Sequence, residues 1–580
     1  MTDAPETADA PETADAPETA DAPEAAGAAD AAEAAGAAEA PSAAGARRDR
    51  RRIAGSALAA ALVLLALLMP SDLASLTPAT FLRLPVEALL GVVLVLVLPE
   101  RARRVAAPVG GAVLGVLLVV KALDIGFDAV LHRPFDLVLD WPLLAPAVDY
   151  VDVTAGRFAA VAAVVLTVLP AVAVVFLTAR SALRLSGVVA RHRTAATRAV
   201  AVLAVVWTTL AAPGLQLTPA GPVASRSTAG FAYDQARRVQ AGLRDRDRFA
   251  TESAVDPFAG AAAGEALTSL RGKDVVVAFV ESYGRAAVEH PEMAPHVGAA
   301  LDAGTRRLAE AGYGARSAFL TSPTAGGGSW LAQATLLSGL WIDNQQRYRT
   351  LLAGDRLTLG GAFRRAGWRS VGVMPGITKA WPEGGFFDYD RIYAFDDLGY
   401  RGPRFGYATT PDEFTMARFQ QFERAAGHAP VMAAIPLLSS HAPWSPAPTA
   451  VGWADVGDGS VFHSMASGEA PAEDMFGRDP ALVRSDYART VEYSVNTLVS
   501  YVETYGDDDL VLVFLGDHQP APFVTGPDAG RDVPITIVTR DRAVLDRTDG
   551  WGWTDGLKPA AQAPVRPMST FRDQFLSTFR

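Results

Sequence analysis

The feature that most constrains this chain is a series of five apolar stretches before residue 218, at about 53–70, 81–99, 105–123, 158–179 and 199–217. Each comes close to the roughly 20 residues needed to cross a hydrocarbon core of about 30 Å. Five membrane crossings are therefore predicted. The first is not a cleavable signal peptide, because it begins only at Ile53 and further apolar stretches follow it. The second has Arg83 and Glu87 near its start, and those side chains must reach the interface. Lys121 falls near the end of the third, and no set of polar residues marks a transport path at mid-membrane.

Basic residues beside these stretches set the expected orientation. ARRDRRR (46–52) precedes the first, ERARR (100–104) separates the second from the third, and RSALRLSGVVARHRTAATR (180–198) separates the fourth from the fifth. The segments at 71–80 and 124–156 carry few basic groups. The positive-inside rule then keeps the amino terminus in the cytoplasm, and an odd number of crossings exports everything after Leu217. The expected location is the cell membrane, multi-pass, with the chemistry outside.

Residues 1–45 hold eleven acidic side chains and no basic one, built on a repeated Asp-Ala-Pro-Glu-Thr-Ala unit. They have almost no large apolar side chain to bury, so they cannot offset the entropy of ordering. Residues 1–52 are expected to be a disordered acidic tail. The tail's charge equals the net charge of -11, which leaves the rest of the chain near neutral. No nucleic-acid partner is expected. The chain contains no cysteine, which excludes disulfides, thiolate metal sites and thiol nucleophiles.

Residues 218–272 are polar, with an amphipathic helical patch near 230–249, and suit a connector along the membrane surface. From Lys273 to Arg580, short β-branched runs alternate with helical patterns. Strands are predicted at 274–280, 315–320, 369–374, 430–438, 509–515 and 533–539, and helices near 293–312, 329–339, 357–367, 411–426, 483–505 and 568–579. The fold class is thus an α-helical membrane domain at 53–217 followed by an α/β extracytoplasmic domain at 273–580. Its sheet should be mixed, mostly parallel and covered on both faces.

Ligands in such sheets collect at the carboxyl ends of strands. The run at 274–280 leads into Glu281-Ser282-Tyr283-Gly284, that at 509–515 into Gly516-Asp517-His518-Gln519-Pro520, and that at 430–438 into Ser439-Ser440-His441-Ala442-Pro443-Trp444. Taken alone, Glu281 could be a helix N-terminal acid, the Asp517-His518 pair a polar turn, and His441 a loop histidine. Together they supply the oxygen and nitrogen donors that suit one divalent ion, Mn²⁺ or Mg²⁺, or Zn²⁺. Ser329 follows three glycines in PTAGGGSWLAQATLLSG (323–339). It could be an ordinary N-cap. The glycines also allow close approach of backbone to an anion, and a cation on the serine oxygen would favour the alkoxide.

In their order, VESYG, SPTAGGGSW, SSHAPW and LGDHQP, preceded by the apolar stretches, resemble the sulfatase-type branch of the alkaline phosphatase superfamily, and within it the lipoteichoic acid synthase-like membrane proteins. The resemblance covers 53–580. It implies that Glu281, Ser329, Asp517 and His518 hold the metal, that Ser329 is the nucleophile where the family usually has Thr, and that His441 lies near the leaving group. The pattern for a formylglycine residue, Cys or Ser followed by x-Pro-x-Arg, is missing at Ser322-Pro323. The family's Trp-Asn-Arg substrate clamp reads Trp381-Pro382-Glu383 here, which removes a bidentate phosphate contact. Lys379 or Arg347 could stand in for it.

The expected activity is head-group transfer from a membrane lipid to an envelope glycolipid or polymer through a phospho-serine. An extracytoplasmic phosphodiesterase or phosphatase using water, or a sulfatase-like hydrolase, is the alternative enzyme, and a degenerate envelope-binding domain the alternative without catalysis. Deleting residues 1–45 should leave turnover per molecule unchanged when full-length and truncated enzymes are assayed side by side.

Overall fold

The computed structural model of the protein describes residues 43–72, 75–211, 224–225, 227–260, 266–465, 477–526 and 528–580. Most of the expected tail, the end of the fifth apolar stretch and parts of the connector lie outside them. The chain divides into two units at Leu58. Of the first, the described part is the start of helix α1, Ala43–Leu68. This helix begins inside the segment expected to lack structure, because alanines and arginines are strong helix formers and the apolar run continues from them. The second unit, Ala59–Arg580, holds everything else.

Five helices follow in the membrane half: α2 (Val86–Val97), α3 (Glu100–Leu131), α4 (Leu144–Ala155), α5 (Arg157–Arg191) and α6 (Arg193–Leu210). Among the described residues, three stretches are long and apolar enough to cross a membrane: Asp49–Leu68, Glu100–Leu131 and Arg157–Arg191. The second and fifth of the five expected stretches do not reach that length among the described residues. Pro85 and Pro99 bracket the second stretch, and a residue before proline disfavours helix. What remains in α2 is 12 residues, or about 18 Å of helix, short of a hydrocarbon core. Of the fifth stretch, residues 199–210 form the later part of α6, which has 18 residues, and 212–217 lie outside the described residues.

Lys121 is corrected too. Helix α3 continues past it to Leu131, so it lies inside the helix with its side chain buried. Its ammonium donates to Thr228 Oγ1 at 2.9 Å and to the Ala66 carbonyl at 3.3 Å. Glu87 accepts the backbone N–H of Ala229 at 2.8 Å. Both partners beyond residue 220 belong to α7, Ser227–Ser253, the amphipathic helix of the connector. At its other end α7 buries Phe249, and Asp245 accepts two bonds from Arg347 at 2.6 and 2.7 Å. The connector is therefore bonded to the membrane helices at one end and to the α/β domain at the other.

That domain is built on a nine-stranded sheet. Its strands are β1 (Asp274–Val280), β2 (Gly314–Thr321), β3 (Arg369–Met374), β4 (Arg391–Ala394), β5 (Val431–Leu437), β6 (Leu510–Gly516), β7 (Asp532–Thr539), β8 (Thr554–Asp555) and β9 (Val565–Pro567). They run in the order β8-β2-β7-β6-β1-β5-β3-β4, with β9 beside β2. From β6 to β4 the neighbours are parallel, and β7 runs against both β6 and β2. All seven residues of β1 are buried. Val276, Ala278 and Val280 pack into the core on one face, and Val275, Val277 and Phe279 into that on the other, as continuous apolar strands covered on both sides require.

The carboxy-terminal helix, Phe571–Thr578, is tied in by charge. Asp256 accepts two bonds from Arg572 at 3.0 and 3.1 Å and lies 3.3 Å from Arg356. All three side chains are buried. Burial opposes ionisation of Asp256, but the bonds from Arg572 hold its carboxyl below the usual range. Replacing Asp256 by Ala strands two buried cations, and the expected loss of stability is about 3–5 kcal/mol, measured as the shift in denaturant midpoint.

Candidate active site

The parallel pairing of β1 with β6 and β5 creates the site. Val280 is in register with Gly516 on one side and with Leu437 on the other. The residues that follow, Glu281, Asp517-His518 and Ser439-Ser440-His441, therefore emerge together at one end of three adjacent strands. Local hydrogen bonds lock them. The Asp517 Oδ1 accepts the backbone N–H groups of Ser282 at 2.8 Å and of His518 at 2.7 Å. The Ser440 hydroxyl donates to the Glu281 carbonyl at 2.5 Å. Ser282 adopts φ 56°, a strained conformation held by these bonds.

Ser329 arrives from the loop after β2. The Ser322 hydroxyl donates to the Asp517 carbonyl at 2.6 Å, and the Gly326 N–H donates to the Gln519 carbonyl at 2.8 Å, which fastens the loop to the Asp517-His518 turn. Gly326, Gly327 and Gly328 have φ of 71°, 155° and 82°, where side-chain-bearing residues are strained. Gly328 is the N-cap of helix Ser329–Ser338, and Ser329 is its first residue. Its hydroxyl is thus not a cap. It donates to Glu281 Oε2 at 2.9 Å and lies 3.2 Å from His518 Nε2.

Glu281, Asp517 and His518 are buried, and one ligand atom from each lies within 4.8 Å of the others. Burial opposes ionisation of Glu281, but the bond from His518 and the charges of His441 and His518 hold it well below the carboxylate range. Burial and the Glu281 charge push Asp517 up to about 7. Burial alone would lower His518, but Asp517 and Glu281 push it up to about 9. Two carboxylates this close need a positive charge between them. The His518 Nδ1–H donates to the Gln519 carbonyl at 2.8 Å, which leaves Nε2 directed at the cluster. This donor set fits a divalent cation.

A cavity of about 680 Å³ opens over the cluster. His441 and Trp381 line it together with Glu281, Ser329 and His518. Lys379 and Arg347 do not. The Lys379 ammonium is exposed and pairs with Asp149 at 3.0 Å, and the Arg347 guanidinium pairs with Asp245 and lies over the Phe249 ring. Neither stands in for the missing arginine. Arg404, Tyr407, Gln333 and Tyr150 also line the cavity and were not singled out by the sequence. Arg404 and Tyr407 lie in the Gly/Pro-rich segment RGPRFGY (401–407), whose mixture of turn residues with basic and aromatic side chains was the available signal.

The sulfatase family profile matches residues 273–533. Residues 273–533 form a sulfatase-family domain. The chain is also similar to three solved structures. With the lipoteichoic acid synthase LtaP from Listeria monocytogenes it shares 12% identity over 58% of this chain and 77% of that one, at TM-score 0.35. With the integral membrane protein lipooligosaccharide phosphoethanolamine transferase A (EptA) from Neisseria meningitidis the values are 14%, 86%, 87% and 0.43. With the Streptococcus pyogenes phosphoglycerol transferase GacH they are 12%, 58%, 90% and 0.34. No curated protein matches the chain.

A cation entering the cluster of this sulfatase-family domain must displace the His518 proton and ionise Asp517. Affinity for Mn²⁺ should therefore be greatest above about pH 9, where His518 is already neutral, and fall as pH falls through about 7, where Asp517 also gains a proton. Calorimetric titration at pH 8 and pH 6 should show weaker binding at the lower pH, with proton release at both.

Proposed function

We propose that this protein is a membrane-anchored, metal-dependent phosphotransferase. It moves a phosphorylated head group from a lipid phosphodiester to an envelope glycolipid or polymer, outside the cell. The observation that carries the reading is Ser329: a hydroxyl at the start of a helix, off the cap position, 2.9 Å from Glu281 and 3.2 Å from His518.

Glu281, Asp517, His518 and the Ser329 oxygen would hold the ion. When bound, a divalent cation favours the ionised serine and neutralises charge on the phosphoryl oxygens. The Ser329 proton leaves by way of Glu281 Oε2. The serine oxygen then attacks phosphorus, and the bond to the lipid alcohol breaks. His441 gives that alcohol its proton, and the phosphoryl group remains on Ser329. In the second step His441 takes the proton of an acceptor alcohol, whose oxygen attacks phosphorus. The Ser329–phosphorus bond breaks and the serine regains its proton. The free N–H groups and the positive dipole end of the helix starting at Ser329 favour the developing negative charge.

Arg404 is the guanidinium on the cavity wall, and its charge reaches Tyr407. It takes the phosphate contact that Pro382 and Glu383 cannot make. Trp381 offers an apolar face to the donor. With water in place of the acceptor alcohol the same steps give a phosphodiesterase.

Ser329→Ala should lower turnover of a lipid phosphodiester by about 10³-fold or more. Mass spectrometry of the wild-type protein exposed to lipid extract should show a phosphorylated adduct on Ser329. An Ala variant with wild-type turnover would sink the reading.

A further inference from the structure

The wall of the catalytic cavity is not made by the sulfatase-family domain alone. Val130, at the end of α3, and Ala147, Tyr150 and Val151, on α4, line it as well. The Val130 carbonyl oxygen lies against Gly326, closer than any side-chain carbon placed there could tolerate. The Asp149–Lys379 pair joins the two halves nearby, but both side chains are exposed and the pair contributes little.

The rings matter more. The Tyr150 ring centroid is 5.6 Å from that of Tyr407, and Tyr407 stacks on the His441 ring at 4.4 Å with 27° between the planes. His441 donates from Nδ1 to the Ala442 carbonyl at 2.6 Å, so Nε2 is the nitrogen left for the substrate. One backbone bond fixes an edge of the imidazole. The face of Tyr407 fixes its plane, and Tyr150 is the ring that flanks Tyr407 from the membrane half.

We propose that Tyr150 is a positioning residue for His441, acting through Tyr407, so that the membrane half completes the geometry of the proton-transfer group. This rests on the phosphotransferase reading of the site. A displacement of a reacting group by about 1 Å costs about 10²-fold in rate, and loss of one ring from the stack, which leaves the Nδ1 bond in place, is expected to cost less, about 10-fold.

The test uses the full chain in detergent with Mn²⁺ and bis-p-nitrophenyl phosphate, a diester without a lipid tail. Tyr150→Ala and Tyr150→Leu should each lower kcat about 10-fold with KM nearly unchanged, whereas Tyr150→Phe, which keeps the ring, should restore wild-type kcat. Melting temperature and bound Mn²⁺ identify any variant that has lost its fold, and Leu keeps apolar bulk where Ala does not. Wild-type kcat in either the Ala or the Leu variant, or a Phe variant as slow as Leu, overturns the inference. Ser329→Ala run in parallel separates the two levels: turnover that survives this change overturns the phosphotransferase reading itself, while Ser329-dependent turnover that ignores Tyr150 overturns only the role of the ring.

Discussion

The structure depends on a buried cluster of like charges that the fold has no freedom to separate. Strand β1 lies between β5 and β6 in parallel register, so Glu281 and Asp517 leave neighbouring strands at the same level. Both are buried, and water cannot screen them. In a medium of low polarizability two carboxylates a few ångströms apart must take up a proton or a cation. His518 supplies one positive charge from the same turn. Everything that brings Ser329 into place, from the Ser322 bond to the Gly326 bond, is anchored on that turn too.

Much of this was legible from the residues. The six predicted strands lie within two residues of β1, β2, β3, β5, β6 and β7; for the central parallel strands β1, β5 and β6 the reason is that a strand buried on both faces is written as an unbroken apolar run. The metal and nucleophile candidates were legible for a related reason: in an open α/β sheet, the residues after strand ends converge whatever the loops do. Strand β4 was not, since it has four residues, one exposed and three half buried, and carries little pattern. The length of α2 was not legible, because a hydropathy count over 81–99 passes over Pro85 and Pro99, which bound a helix of 12 residues.

Loop convergence was the part that could not be read. Arg404 and Tyr407, from one loop, and Tyr150, more than 250 residues earlier in the chain, share no spacing that marks a site, and only the fold brings them to one cavity. Arg347 illustrates the opposite error. An arginine just after the nucleophile helix suited a phosphate contact, but Asp245, about a hundred residues earlier in the chain, takes its Nε and Nη2, and the Trp341 carbonyl takes its Nη1. Charge complementarity between distant segments leaves no mark on either segment alone.

The contact between Val130 and Gly326 limits how this architecture can be recombined. A peptide carbonyl occupies the space where a side chain at 326 would go, so the nucleophile loop and the end of α3 are cut to one another's shape. Grafting the α/β domain onto a different membrane anchor would preserve its sheet and its charge cluster. It would succeed as an intact pocket only if the new anchor ended a helix at the same height above the glycines.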